Sequence, residues 1–535
     1  MATTSILKAD GAARAAWPAP ANDTLPSRDL RLVWATHPPC RSTFPGIPDW
    51  RPAPAGPYPC HTNTRPTRLA FNGAKRVALA VGLLAALSSP FGRAVAREAP
   101  TASPPDAPAA CAESSDCARR EGYGNVCVDN CCRPYVDRMD ITDVFRGKPS
   151  ETPKPEEFRL YPAIIPAIGY NPALGFLIGV VGKFGMYLGD PAETTMSSGS
   201  ALVLLTTKQQ LVIQLGSTVM TARNDWELQG DWRLLLYNQD TYGLGTGVPL
   251  VKTSFSINGW GGTTPIDGAQ PMKFDLLRFH ETVLKRAWGS LYVGGGYLLD
   301  RYFSIDDESL DLSTSSPVIT SHYAYSKYYG FNPNEYTVSG VSADVLFDSR
   351  DSTISAYKGF YAHLSFAGLP TWLGSSQGST MVGADLRAYV GLSDAVPRNV
   401  LAFWVLASGV TSGHQPYLTL PSIGWDAAGT TGRGYIQGRY RGTAEVYAEA
   451  EWRFPVTSNG LFGGAVFANA ETFSRPAFSY STLSEPATYL FQYVRPAVGF
   501  GARVLLSKES RANLRVDFAW GADSFCVYLG AGEAF

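Results

Sequence analysis

The sequence predicts an all-β protein, a transmembrane antiparallel β-barrel of about 16 strands behind a small Cys-rich N-terminal segment. Three observations carry this. Charged residues alternate with apolar ones in strand after strand, at the period of two that separates the faces of a sheet. Long and short connections alternate between those strands. The chain closes on an aromatic residue, after Phe525, Val527, Leu529, Ala531 and Phe535 alternate with Cys526, Tyr528, Gly530, Gly532 and Ala534. That last stripe is expected to face lipid, with Glu533 close enough to the chain end for a headgroup or water to take it.

Composition points the same way. The 535 residues carry a formal net charge of -1, so nucleic acid is not an expected partner. Only 17% of residues are charged, 12% are aromatic and 53 are glycine, which suits aromatic girdles and closely packed strands.

Residues 1–66 are Pro-, Arg- and Thr-rich without periodicity. They are expected to be a disordered leader, or to reflect a translation start placed too far upstream. Residues 67–96 have the three parts of a secretory signal. Arg68, Lys75 and Arg76 form the positive region, Val77–Leu87 the apolar run, and Ala94-Val95-Ala96 the cleavage site before Arg97. The apolar run is too short to cross the ~30 Å of a bilayer core as a helix.

Residues 97–147 form a Cys-rich segment, expected in the periplasm. Cys111, Cys117, Cys127, Cys131 and Cys132 cluster there. An oxidising compartment favours disulfides among them, and the odd number leaves one thiol or an intermolecular bridge. Two separated Cys-x-x-Cys pairs, the usual zinc pattern, are missing. Residues 148–160 include a Pro- and charge-rich linker, Lys148–Glu157.

Residues 161–535 hold the strands. Starts fall near Tyr161, Phe176, Ser198, Gln210, Trp226, Lys273, Ser290, Tyr336, Gly359, Thr380, Asn399, Thr443, Leu461, Phe491, Ala512 and Ser524. In the clearest, Glu445, Tyr447, Glu449, Glu451 and Arg453 oppose Ala444, Val446, Ala448, Ala450, Trp452 and Phe454. Concentrated charge of both signs on one face suits a barrel lumen. Trp226–Tyr237 and Asn513–Trp520 repeat the pattern. Long connections cover Asn238–Met272, Asp306–Glu335, Thr411–Gly442 and Glu471–Leu490. Short turns such as Lys285–Gly289 and Ser507–Arg511 lie between them. This asymmetry is that of the outer membrane of a Gram-negative bacterium, with both barrel ends on the periplasmic side.

Five motifs in order resemble the bacterial surface-antigen superfamily, the barrel of BamA/TamA-type outer-membrane assembly factors. Tyr242-Gly243-Leu244-Gly245 resembles its aromatic-Gly-x-Gly loop. Asp348-Ser349-Arg350-Asp351-Ser352, with Gly359, resembles its periplasmic turn. Gly432-Arg433-Gly434-Tyr435 resembles its R-G-F/Y loop, Glu451–Pro455 its E-x-R-x-P strand end, and Gly532-Glu533-Ala534-Phe535 its C-terminal signal. The resemblance implies that the Arg433 loop folds back into the lumen and meets an acid on the wall. Glu449 and Glu451 are the candidate partners, beside Asn469, which stands where the family's F-x-D-x-G strand has an acid. It also implies that Asp348, Arg350, Asp351 and Gly359 stabilise a turn. The sequence departs from the family at that Asn469 and at Ala356, which replaces the turn proline. About sixty residues between Arg97 and Tyr161 are too few for a polypeptide-transport-associated repeat.

Six histidines fall in no hydrolase or metal motif, although loop residues His322 and His414 are the candidates for catalysis. No catalytic residue, metal or cofactor is expected. The expected partners are outer-membrane lipid and outer-membrane or periplasmic proteins. The expected role is a loop-plugged structural or transport barrel. The alternative is an assembly, insertion or translocation factor working with a separate periplasmic partner.

Overall fold

The computed structural model describes residues 125–128, 131–134, 139–148, 155–171, 175–248, 254–260, 268–393, 396, 398–457 and 459–535. The chain divides into two units, Met1–Thr101, outside the described residues, and Ala102–Phe535. The leader, the signal segment, Cys111 and Cys117 therefore lie outside what the structure describes. The backbone of Asn125–Val128 and Cys131–Pro134 forms a hairpin in which Cys127 is in register with Cys132.

Sixteen strands build the wall. They are β1 (Leu160–Asn171), β2 (Gly175–Met186), β3 (Ser197–Thr206), β4 (Leu211–Met220), β5 (Trp226–Thr241), β6 (Gln270–Trp288), β7 (Leu291–Asp307) and β8 (Tyr336–Asp348). They continue as β9 (Gly359–Leu369), β10 (Ser379–Gly391), β11 (Val400–Gly413), β12 (Ala444–Pro455), β13 (Phe462–Phe473), β14 (Arg495–Ser507), β15 (Ala512–Trp520) and β16 (Ser524–Ala531). Successive strands pair antiparallel and the sheet closes on itself. The largest offset from the sequence expectation is at β14, expected from Phe491 and found from Arg495.

Alternation explains why these segments are strands and which way they face. In β5, Glu227 and Arg233 are buried while Trp226 and Leu234 are exposed. Ile168, Phe176, Leu277, Phe366, Phe403, Phe500 and Leu529 are likewise exposed on strand after strand, opposite buried charge. An exposed apolar belt around a charged interior is the inverse of a water-soluble barrel, so the belt faces lipid.

At the long-loop end the interior becomes apolar. A helix, α2 (Ser321–Tyr329), is capped by the Thr320 hydroxyl, which accepts from the Tyr323 N–H. It packs into a cluster with Tyr302, Tyr336, Tyr417, Leu418 and Phe478. At the other end a six-residue helix, α1 (Ile141–Arg146), has a capping box between Asp140 and Asp143. It falls within the segment expected to be only Cys-rich and linker-like. It docks on the turns of the barrel rim. Met139 N–H donates to the Asn459 carbonyl at 3.1 Å, and Lys508 Nζ pairs with Asp143 at 2.8 Å.

The C-terminal tail corrects one expectation. Phe525, Val527 and Leu529 face outward, but Phe535 does not reach lipid. Gly532 adopts φ +83°, a conformation glycine permits, and the tail turns inward. Phe535 is then buried in the lumen, 5.2 Å from the Trp404 ring and 6.2 Å from Tyr389. Glu533 meets no headgroup. It is buried and pairs with Arg503 at 2.7 Å.

Candidate functional site: the Arg433 knot in the lumen

The connection from β11 to β12, residues 414–443, enters the barrel. Its tip is a tight turn in which Tyr435 N–H donates to the Gly432 carbonyl at 3.0 Å. Two glycines make this turn possible. Gly432 has φ +70°, and a Cβ there would lie 1.8 Å from the Ile423 side chain. Gly434 has φ +118°, with a Cβ position 2.7 Å from that of Ala497. Asp426 braces the stem by accepting the N–H groups of Ala428, Thr430 and Thr431.

Arg433 projects from the turn into a site where it is 1% exposed. Its guanidinium donates to both oxygens of Glu449, to Glu451, and to Asp517 at 2.8 Å. It also lies over the Phe467 ring, 3.5 Å from the centroid, a cation–π contact strengthened by exclusion of water. Asn469 donates to the Arg433 carbonyl at 2.9 Å and to Glu449 at 3.4 Å. The amide thus holds the loop's backbone, where a carboxylate would have to share the cation. Tyr447 donates to Glu449 and fixes its orientation.

The structure therefore brings Gly432, Arg433, Gly434, Tyr435, Glu449, Glu451 and Asn469 together. Sequence reasoning missed Asp517 as a partner, although its inward place on β15 was legible. It also missed how far the network runs. Arg453 pairs with Glu451 at 2.6 Å, Arg503 bridges Asp517 and Glu533, and Arg515 lies 3.5 Å from Asp517. Four guanidinium groups thus face Glu449, Glu451, Asp517 and Glu533. Such balance is what lets buried charge persist in a site of low dielectric constant. Arg453 also donates to the main-chain oxygen of Phe535 at 3.0 Å, so the knot reaches the chain end.

The loop is stitched to the last strands as well. Gly434 N–H donates to the Tyr528 hydroxyl at 2.9 Å, and the Ser524 hydroxyl donates to the Gly434 carbonyl. Tyr435 donates to the Pro496 carbonyl at 2.6 Å. Burial raises its phenol above the ordinary value, so it stays protonated as that donor. Tyr242–Gly245, in the connection after β5, meets the same loop. Gly245 N–H donates to the Arg441 carbonyl at 2.6 Å, and Arg439 lies 4.8 Å from the Tyr242 ring. One buried acid stands apart. Neither carboxylate oxygen of Glu471 has a hydrogen-bond partner among the described residues.

The turn residues sit at the opposite end from the long loops. Arg350 forms two parallel bonds to Asp348, Asp351 accepts the Tyr357 N–H at 2.8 Å and pairs with Arg511 at 2.7 Å. A Cβ on Gly359 would lie 2.3 Å from the Ser349 carbonyl. Of the two loop histidines, His322 is fully buried, with Nδ1 2.8 Å from Asp307. His414 packs at a tilt against Tyr329 with centroids 4.3 Å apart.

No protein-family model matches the chain, and no curated protein does. Among solved structures it is similar to BamA from Haemophilus ducreyi lacking POTRA domains 1–3. The identity is 15% and the TM-score 0.40, over 68% of this chain and 66% of that one, just under two thirds of its length. The outer membrane protein OpdK from Pseudomonas aeruginosa aligns at 13% identity and TM-score 0.26, over 68% of this chain and 93% of that one. A second structure of that protein, OccK1 (OpdK), gives 13% and 0.25, over 69% and 94%. Similarity this low shows no family.

Proposed function

We propose that the chain is a barrel of the Gram-negative outer membrane, plugged at rest by its own Arg433 loop, with a structural or transport role. The exposed apolar belt supports lipid as its surroundings. The observation that carries the plugged state is the four-way engagement of Arg433 with Glu449, Glu451, Asp517 and Phe467 inside the lumen. The aromatic cluster around Tyr325 and Tyr417 adds a second layer above it. A cavity at the short-turn end, between Arg398, Arg453, Arg503, Asn513 and Glu533, has about 10 Å³ of room, near what one water requires. A solute passes only when the loop leaves. Planar-bilayer recording tests this: the wild type should be silent, and deletion of Ser412–Gly442 should give steady open steps. Steady wild-type conductance would count against the plug. The role assigned here includes no catalysis, metal or cofactor.

A second reading has its own support. The last strand carries a foreign segment, Ser254–Ile257, on its edge. A barrel with such a seam suits the handling of extended polypeptides, as an assembly or translocation factor with a separate periplasmic partner. Co-purification from gently solubilised membranes tests it. Depletion that leaves other outer-membrane proteins at normal levels would argue against it.

A further inference from the structure

Ser254–Ile257 belongs to the connection between β5 and β6, yet it pairs with β16. The pairing runs from Ser524 opposite Ser254 to Val527 opposite Ile257, and it is parallel. The first edge of β16 is taken by β15, from Leu514 opposite Ala531 to Trp520 opposite Phe525. A strand has two edges, so over Ser524–Val527 the second edge belongs to a loop. Asn258 prolongs the pairing. Its N–H donates to the Val527 carbonyl at 2.7 Å, and its side-chain oxygen accepts from Leu529 N–H at 2.6 Å. Asn258 has φ +55°, which asparagine tolerates better than most residues, so its amide side chain stands in for the next residue of a strand.

The segment has the faces of a wall strand. The Phe255 ring lies 5.5 Å from that of Phe525 on the outer side. The Ser256 hydroxyl lies 2.9 Å from the Cys526 sulfur on the inner side. The Arg433 loop holds its foot, because Gln437 N–H donates to the Gly259 carbonyl at 2.8 Å.

We infer that Ser254–Ile257 is an in-chain clasp on an edge that accepts extended polypeptide, and that a strand antiparallel to β16 displaces it. This rests on the second reading above. A bare edge in lipid leaves backbone groups unsatisfied, so something must cover it. The clasp does so with four residues in the parallel sense, which pairs slightly less well per residue. A strand running antiparallel over Ser524–Leu529 pairs slightly better per residue on the same edge, the chemistry of β-strand addition. The clasp also describes its competitor. Apolar side chains stand at alternate outward positions, and a small residue faces Cys526.

Disulfide trapping in the full-length protein tests the inference. Ser256→Cys places a thiol against native Cys526, and mild copper-phenanthroline oxidation should join them, as read by peptide mass mapping. The probe is a fluorescent peptide of sequence Ala512–Trp520, the strand that β16 already accepts antiparallel on its other edge. The oxidised variant should bind this peptide at least tenfold more weakly than the same protein after reduction. Equal binding by the two forms overturns the inference. So does the absence of the crosslink in protein that keeps its heat-modifiable fold. Asn258→Ala provides a variant with native cysteines. It should bind the peptide more tightly than wild type, and unchanged binding also overturns the inference. Crosslink and peptide affinity are read on the isolated protein. Failure of the assembly reading shows instead in the levels of other outer-membrane proteins after depletion.

Discussion

Arg433 is the residue on which most of the lumen depends. Removing it leaves Glu449, Glu451 and Asp517 crowded together with one cation fewer. Breaking a buried pair from one side costs about 3–5 kcal/mol. Arg433→Ala is therefore expected to free the loop to added protease and to lower the heat-modifiable folded fraction, while the wall still inserts. Arg433→Lys should recover only part of this, because an ammonium cannot make the paired bonds of a guanidinium. Glu471 is the opposite case, a buried carboxylate whose oxygens have no hydrogen-bond partner among the described residues. Replacing such a group with an apolar one of similar shape removes a desolvation cost of about 1–3 kcal/mol. Glu471→Met should raise the thermal midpoint of the folded barrel, and a lower midpoint would mean that the acid is satisfied in a way the geometry does not show. Glu449 and Glu451 were legible in the sequence because they alternate with alanines on one strand. Asp517 was not legible as their neighbour, since β13 and β14 separate β15 from β12 in the wall and the Arg433 side chain of the loop is what joins the three acids.

At the scale of elements, period-two alternation carried nearly all of the wall. It failed where alternation was present but the backbone departed from it. The stripe from Phe525 runs on in the sequence to Phe535, yet φ +83° at Gly532 turns the tail into the lumen. A residue with a side chain at that position strains the backbone and brings its Cβ 3.2 Å from Lys183 Cε. Gly532→Val should loosen the tail, read as faster carboxypeptidase trimming of Phe535, and wild-type trimming rates would contradict the inward turn. Ser254–Ile257 escaped notice because four residues within a long connection carry too little periodicity to register. The six residues of α1 escaped for the same reason. Its cap is testable: Asp140→Ala should cost about 1 kcal/mol of helix docking. Faster proteolytic cleavage between α1 and β1 is the expected readout.

At the largest scale, the strands from Leu160 to Ala531 form a closed wall whose interior is filled by its own loops and tail. Loops from β5–β6, β7–β8 and β11–β12 meet at the long-loop end, and the C-terminal tail enters from the other. Fold class and strand number were legible because lipid and lumen impose opposite demands on alternate residues. The filling was legible only in part, because it depends on which loops fold back and which remain outside. The most direct measurement is single-channel recording of wild type, Arg433→Ala and the Ser412–Gly442 deletion under one set of conditions. A silent wild type, flickering openings in the alanine variant and steady openings in the deletion are expected. Equal, steady conductance from all three would show that the Arg433 knot does not close the lumen.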